Sequence, residues 1–277
     1  MPRGAQALFT AQWATDSSDP IVVICPDADA MDGLKEEIET LAKVVLKKTI
    51  RVSVLPPWEQ SPFSPISPSI RTRLGRIATI SEVFSSQPPQ VILTTLDAGL
   101  MKTISPKVLQ AFSFNLKKGD SVESREILSA KLSSAGYLKV DPVEDPGTYS
   151  VRGDLIDVFP PGETRAIRIE LFGDEIERIR FFDPENQRTF SDTETAWVRF
   201  GPAKEVLIHA ENLARVRELV KARADDVGVS RAIRDPLLET VFPGSSPDHS
   251  EFWAGFAYSD SAAFLQTISI KNLLVID

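Results

Sequence analysis

The most regular hydrophobic pattern in the chain lies in residues 147–188. Residues 148–159 form an apolar run with interleaved polar positions, stopped by Pro160, Pro161 and Gly162, a strong turn signal. Residues 166–172 then alternate strictly: Ile167, Ile169 and Leu171 share one face of a strand, and Arg168, Glu170 and Phe172 share the other. Gly173 and Asp174 turn the chain into residues 175–182, and Asp183-Pro184 closes the segment. The pattern predicts an antiparallel meander of three strands, with one face toward a core and one toward solvent. Phe172 breaks that expectation, because a large aromatic stands in line with Arg168 where alternation calls for a polar residue.

The flanking sequence has a different rhythm. Residues 21–25 (IVVIC) are a short continuous apolar run, as expected of a strand buried on both faces of a parallel sheet, and residues 91–96 (VILTTL) read as the next buried strand. Met31, Leu34, Ile38, Leu41 and Val45 recur at helical spacing between the first run and a further strand at 50–55. Helices are also predicted at 70–84 and from Ser105-Pro106. Strand–helix–strand order predicts a parallel α/β sheet. Between these elements, residues 56–68 are rich in Pro and Ser and read as a long loop, which Trp58, Phe63 and Ile66 are placed to pin.

The rhythm changes near Lys117-Lys118-Gly119-Asp120. Asp120, with Glu123 three residues on, predicts a capped helix start; Ile127, Leu128, Leu132 and Ala135 supply its apolar face, and Gly136 ends it. From residue 206 helices return (213–220, 233–241 and 261–266), followed by a buried strand at 273–276. The expected organisation is an α/β domain in two parts, 1–117 and 206–277, interrupted by a small inserted α+β domain at 118–205 that contains the meander. An apolar strand at the last residues reads as a cut within a longer protein.

Composition narrows the function classes. Thirty-one basic against 39 acidic residues leave a net charge of −8, which argues against a large nucleic-acid-binding face. The single cysteine, Cys25, excludes an internal disulfide and fits a buried thiol in a reducing cytoplasm. No apolar stretch approaches the roughly 18–20 residues needed to cross a bilayer, and no signal-peptide pattern begins the chain. The expectation is a cytoplasmic protein without a membrane partner.

A parallel α/β sheet invites a search for nucleotide chemistry. A P-loop needs a Gly-rich turn followed by Lys and Ser or Thr. No Gly-Lys pair occurs anywhere, and residues 1–13 contain one glycine and no lysine. There is no G-x-G-x-x-G and no G-x-S-x-G, and His209 and His249 have no second His or Cys at metal spacing. No catalytic residue, cofactor site or metal site is expected. The overall expectation is a parallel-sheet, degenerate P-loop-NTPase-like α/β domain carrying the inserted α+β domain.

Residues 148–162 (TYSVRGDLIDVFPPG) and 167–188 (IRIELFGDEIERIRFFDPENQR) closely resemble the nucleotide excision repair protein UvrB and the N-terminal UvrB-like module of transcription-repair coupling factors. Leu55-Pro56-Pro57-Trp58-Glu59, Ile66-Ser67-Pro68-Ser69, Gly136-Tyr137, Val151-Arg152-Gly153 and Pro202-Ala203 with Glu205 favour the coupling factors. Residues 2–13 look like a degenerate remnant of the P-loop segment that UvrB retains. The resemblance implies a non-catalytic recruitment module that binds the damage-recognition ATPase UvrA by mimicking UvrB. It implies docking residues at Arg152, Arg168 and Phe172, with Gly153 and Asp157 structural, for a close backbone approach and a strand-end hydrogen bond. It also implies that ATP-dependent DNA translocation and contacts with RNA polymerase and double-stranded DNA belong to parts beyond this chain. The blander alternative pairs Arg152 and Arg168 with Asp154 or Glu170 inside the domain and half-buries Phe172. The rival function is a UvrB-type DNA-dependent ATPase or damage-binding component with a divergent nucleotide site.

Overall fold

The computed structural model describes residues 1–60, 66–247 and 249–276, and the side chain of Asp192 is excluded. Phe63, one of the expected loop pins, lies outside the described residues. The chain divides into two compact units: Met1–Thr103 together with the chain from Ser261 onward, and Ile104–Asp260.

The first unit is built on a four-stranded parallel sheet in the order Asn272–Val275, Ile21–Cys25, Val91–Thr95, Val52–Leu55. Ile21–Cys25 and Val91–Thr95 are buried along their whole length, as expected of strands at the centre of a parallel sheet; Thr94 and Thr95 are buried with the apolar residues. Met31, Leu34 and Ile38 of the helix Ala28–Leu41 join the same core as Ile21, Val23 and Leu93. That helix starts where the Asp27 carboxylate accepts the Ala30 amide at 2.8 Å. Residues 3–16 are helical, so Gly4 sits within a helix. Arg76, from the helix Ile70–Val83, stacks over Trp58 of the proline-rich loop at 4.3 Å, while Ile66 is largely exposed.

The second unit contains a six-stranded sheet in spatial order Thr189–Glu194, Glu175–Phe182, Ala166–Phe172, Leu155–Phe159, Thr148–Arg152, Leu138–Lys139. The expected three-stranded meander is therefore larger. The run 148–159 is not one strand but a hairpin, because Gly153 takes φ +58 and turns the chain between Arg152 and Leu155. The strict alternation of 166–172 holds. Ile167, Ile169 and Leu171 enter a core with Tyr149, Ile156, Val158, Ile176 and Ile179, closed by Leu128 and Leu132 of the helix Arg125–Ser134. That helix begins five residues after Asp120. Ser124 is its cap, accepting from Ile127 at 3.2 Å, while the Asp120 side chain accepts the Lys117 amide in the preceding turn.

The second unit, 104–260, is wider than the 118–205 stretch expected to be inserted. The helices Ala210–Asp226 and Arg231–Glu239 fall within it, and only the strand Asn272–Val275 completes the first sheet. Polar bonds tie this segment to itself. The Leu207 amide donates to the Tyr258 hydroxyl at 2.8 Å, and the Asn212 side chain donates to the Leu207 and Ala257 carbonyls. Uninterrupted helical periodicity after 206 gave no sign of which unit those helices join.

Candidate docking face

The core side of the six-stranded sheet is explained by apolar burial; the chemistry lies on its other face. Cross-strand register places Ser150 beside Asp157, Asp157 beside Arg168, and Arg168 beside Arg180. One step along the strands, Arg152, Leu155, Glu170 and Arg178 stand side by side, and one step further Phe172 faces Glu175. This face is not uniformly solvated, as alternation had implied. At the opposite end from Phe172, Phe159, Ala166 and Phe182 are buried with Val143 in a second small apolar cluster. The face grades from apolar and covered, through charged and half-covered, to an exposed aromatic.

Asp157 occupies the middle of the gradient, and its side chain is fully buried. Its carboxylate accepts from Arg168 Nε at 2.8 Å and Arg168 Nη2 at 2.9 Å, a bidentate fork. It also accepts from Arg152 Nη2 at 2.6 Å. Arg168 is held further by the Gln187 carbonyl at 3.3 Å and by stacking over the Phe182 ring at 4.5 Å. Its side chain is only 12% exposed. The hydrogen bond to Asp157 raises the Arg168 guanidinium above its ordinary value, against the opposing effect of burial, so it stays charged. Arg152 is looser: its side chain is 37% exposed, and Asp141 lies 3.7 Å away on its outer side. Arg180 pairs with Glu170, and Asp154 pairs with Arg125.

The expected docking residues are thus on one face but in different states. Arg152 and Arg168 do form ion pairs within the domain, though with Asp157, and not with Asp154 or Glu170 as the blander alternative had it. Phe172 is 80% exposed, not half-buried. Asp157 is no strand-end hydrogen-bonding residue but a mid-strand pivot that the sequence reading undervalued. A signal for it existed: an Asp flanked by Ile156 and Val158, placed opposite Arg168 once the hairpin is drawn correctly. Gly153 serves its positive φ alone, since a Cβ there would meet nothing within 4 Å. Gly173, at φ +64, likewise turns the chain sharply right after Phe172 and leaves the ring at the end of its strand.

Among the described residues, no group of three or more His, Cys, Asp and Glu side chains is placed to hold a metal ion. No described helix is long and apolar enough to cross a membrane.

The sheet thus has a polar face that ends in an exposed aromatic, and residues 114–205, which contain it, match the family model of the UvrB interaction domain. Over nearly its whole length the chain is similar to transcription-repair-coupling factors. It is 27% identical over 273 residues to that of Escherichia coli K12, covering 99% of this chain and 23% of the relative. It is 32% identical over 248 residues to that of Myxococcus xanthus, covering 83% and 20%. It is also 30% identical over 138 residues to UvrABC system protein B of Kosmotoga olearia, covering 50% and 20%. Residues 114–205 are thus similar to the UvrB interaction domain, and they lie within a longer stretch similar to the transcription-repair-coupling factors. It spans between a fifth and a quarter of the length of these relatives.

Proposed function

We propose that this chain is a non-catalytic recruitment module of transcription-coupled nucleotide excision repair, and that it binds UvrA by offering a UvrB-like surface. The observation that carries the reading is the exposed Phe172 ring on the same sheet face as Arg152 and Arg168, in a stretch that matches the UvrB interaction domain. An aromatic anchor beside arginines is the side-chain chemistry that dominates compact protein interfaces. The arginines suit carboxylates on the partner, and the ring suits an apolar pocket. In this reading, ATP-driven translocation on double-stranded DNA and contacts with RNA polymerase belong to portions of the longer relatives outside the aligned stretch.

Two measurements test the proposal. UvrA immobilised on a sensor surface should capture the wild-type chain saturably, and Phe172→Ala or Arg152→Ala should weaken capture without unfolding the domain. A folded wild-type chain that UvrA does not capture would overturn the reading. The non-catalytic part rests on the missing Gly-Lys pair of a P-loop. ATP hydrolysis by the purified chain, with or without DNA, would refute it and favour a UvrB-type ATPase.

A further inference from the structure

We propose that Asp157 is the positioning residue of the docking face: one buried carboxylate that orients both arginines toward the partner. The inference rests on the reading of that face given above. Asp157 is inaccessible to a partner, so its part in docking can only be indirect. Its side chain takes three N–H bonds from two arginines and is the only carboxylate that either guanidinium meets within 3.0 Å among the described residues. A guanidinium has five N–H donors in a rigid fork. Arg168 spends three of them on Asp157 and the Gln187 carbonyl, and is clamped flat by Phe182, which leaves two donors with a fixed direction. Arg152, half-exposed and two strands away from Arg168, gains its direction from the same carboxylate. An arginine without such an anchor samples many rotamers and must give them up on docking. The pivot removes that cost before the partner arrives and holds both forks on the face that ends in Phe172.

The proposal makes a prediction opposite in sign to simple electrostatics. Asp157→Asn keeps the shape of the side chain but removes one negative charge, so the face becomes more positive. If charge alone attracted an acidic partner, affinity for UvrA would rise. Positioning predicts that it falls, by about tenfold, because two arginines lose their common orientation. The experiment measures the Kd of wild type, D157N, R152A and the double variant for immobilised UvrA, with circular dichroism and thermal melting as fold controls. Expected are a weaker D157N and a double variant less impaired than the product of the two single losses, since Asp157 acts in part through Arg152. Equal or tighter binding by a folded D157N, or strictly additive effects, would overturn the proposal. If D157N does not melt cooperatively, Asp157→Glu decides. It keeps the charge and displaces the carboxylate by one methylene, so reduced affinity supports positioning and wild-type affinity overturns it. Absence of binding by the wild-type chain sinks the UvrA reading itself and this proposal with it. Wild-type binding with an indifferent D157N sinks this proposal alone.

Discussion

Phe172→Ala removes a ring that contributes almost nothing to the fold and, on this account, much to docking. The ring is 80% exposed at the end of its strand, whereas Ile169, three residues earlier, is fully buried. A Phe side chain offers on the order of 150 Å² to burial, so about 120 Å² of it remains available to a partner. At about 25 cal/mol per Å² that area is worth at most ~3 kcal/mol. Ordering at the interface offsets part of this, leaving about 2 kcal/mol, or roughly 30-fold in Kd. Folding stability should change by less than about 0.5 kcal/mol, since no buried contact is lost. Biolayer interferometry against immobilised UvrA reads the first quantity, and urea unfolding followed by circular dichroism reads the second. A Kd within twofold of wild type would remove the ring from the interface. A clear drop in the urea midpoint would show that Phe172 supports the sheet, and the separation of docking from stability would fail.

The remaining predictions concern the groups around it. Arg168→Ala strips two of the three bonds from a buried carboxylate and should cost about 2 kcal/mol of stability in urea unfolding, so its effect on UvrA binding mixes structure with contact. Arg152→Ala, half-exposed and singly bonded to Asp157, should cost about 1 kcal/mol or less in the same assay. Glu170→Ala opens a partly exposed ion pair with Arg180 and should shift stability by no more than about 1 kcal/mol. Cys25 is buried, and burial together with the nearby Asp27 charge pushes its thiol up to about 12. Folded-state alkylation should therefore stay slow up to pH 9, where little thiolate forms, and become fast only when urea unfolds the first unit.

Much of this architecture was readable because local pattern and tertiary environment agree. Ile21–Cys25 and Val91–Thr95 are uniformly buried, the first apolar throughout and the second apolar as far as Leu93, and the alternation of 167–172 picks out the buried Ile167, Ile169 and Leu171. The misreadings share a cause: backbone features that hydropathy does not encode. The hairpin at Gly153 is set by a positive φ, and without it Asp157 could not be placed opposite Arg168. Likewise, the helix expected from Asp120 starts at Arg125, because Glu123 takes φ +57 and Ser124 supplies the cap. Phe172 was legible as an anomaly from alternation alone. The buried state of Arg168 was not, since it depends on Phe182 and Gln187, which arrive from later in the chain.

The central claim is that this chain docks on UvrA in the place of UvrB, and competition tests it most directly. Wild-type chain at saturating concentration on immobilised UvrA is challenged with increasing UvrB. The account predicts that UvrB displaces the chain fully and that Phe172→Ala is displaced at much lower UvrB concentrations. Simultaneous binding of both proteins to UvrA, or no binding of the folded chain at all, would contradict it.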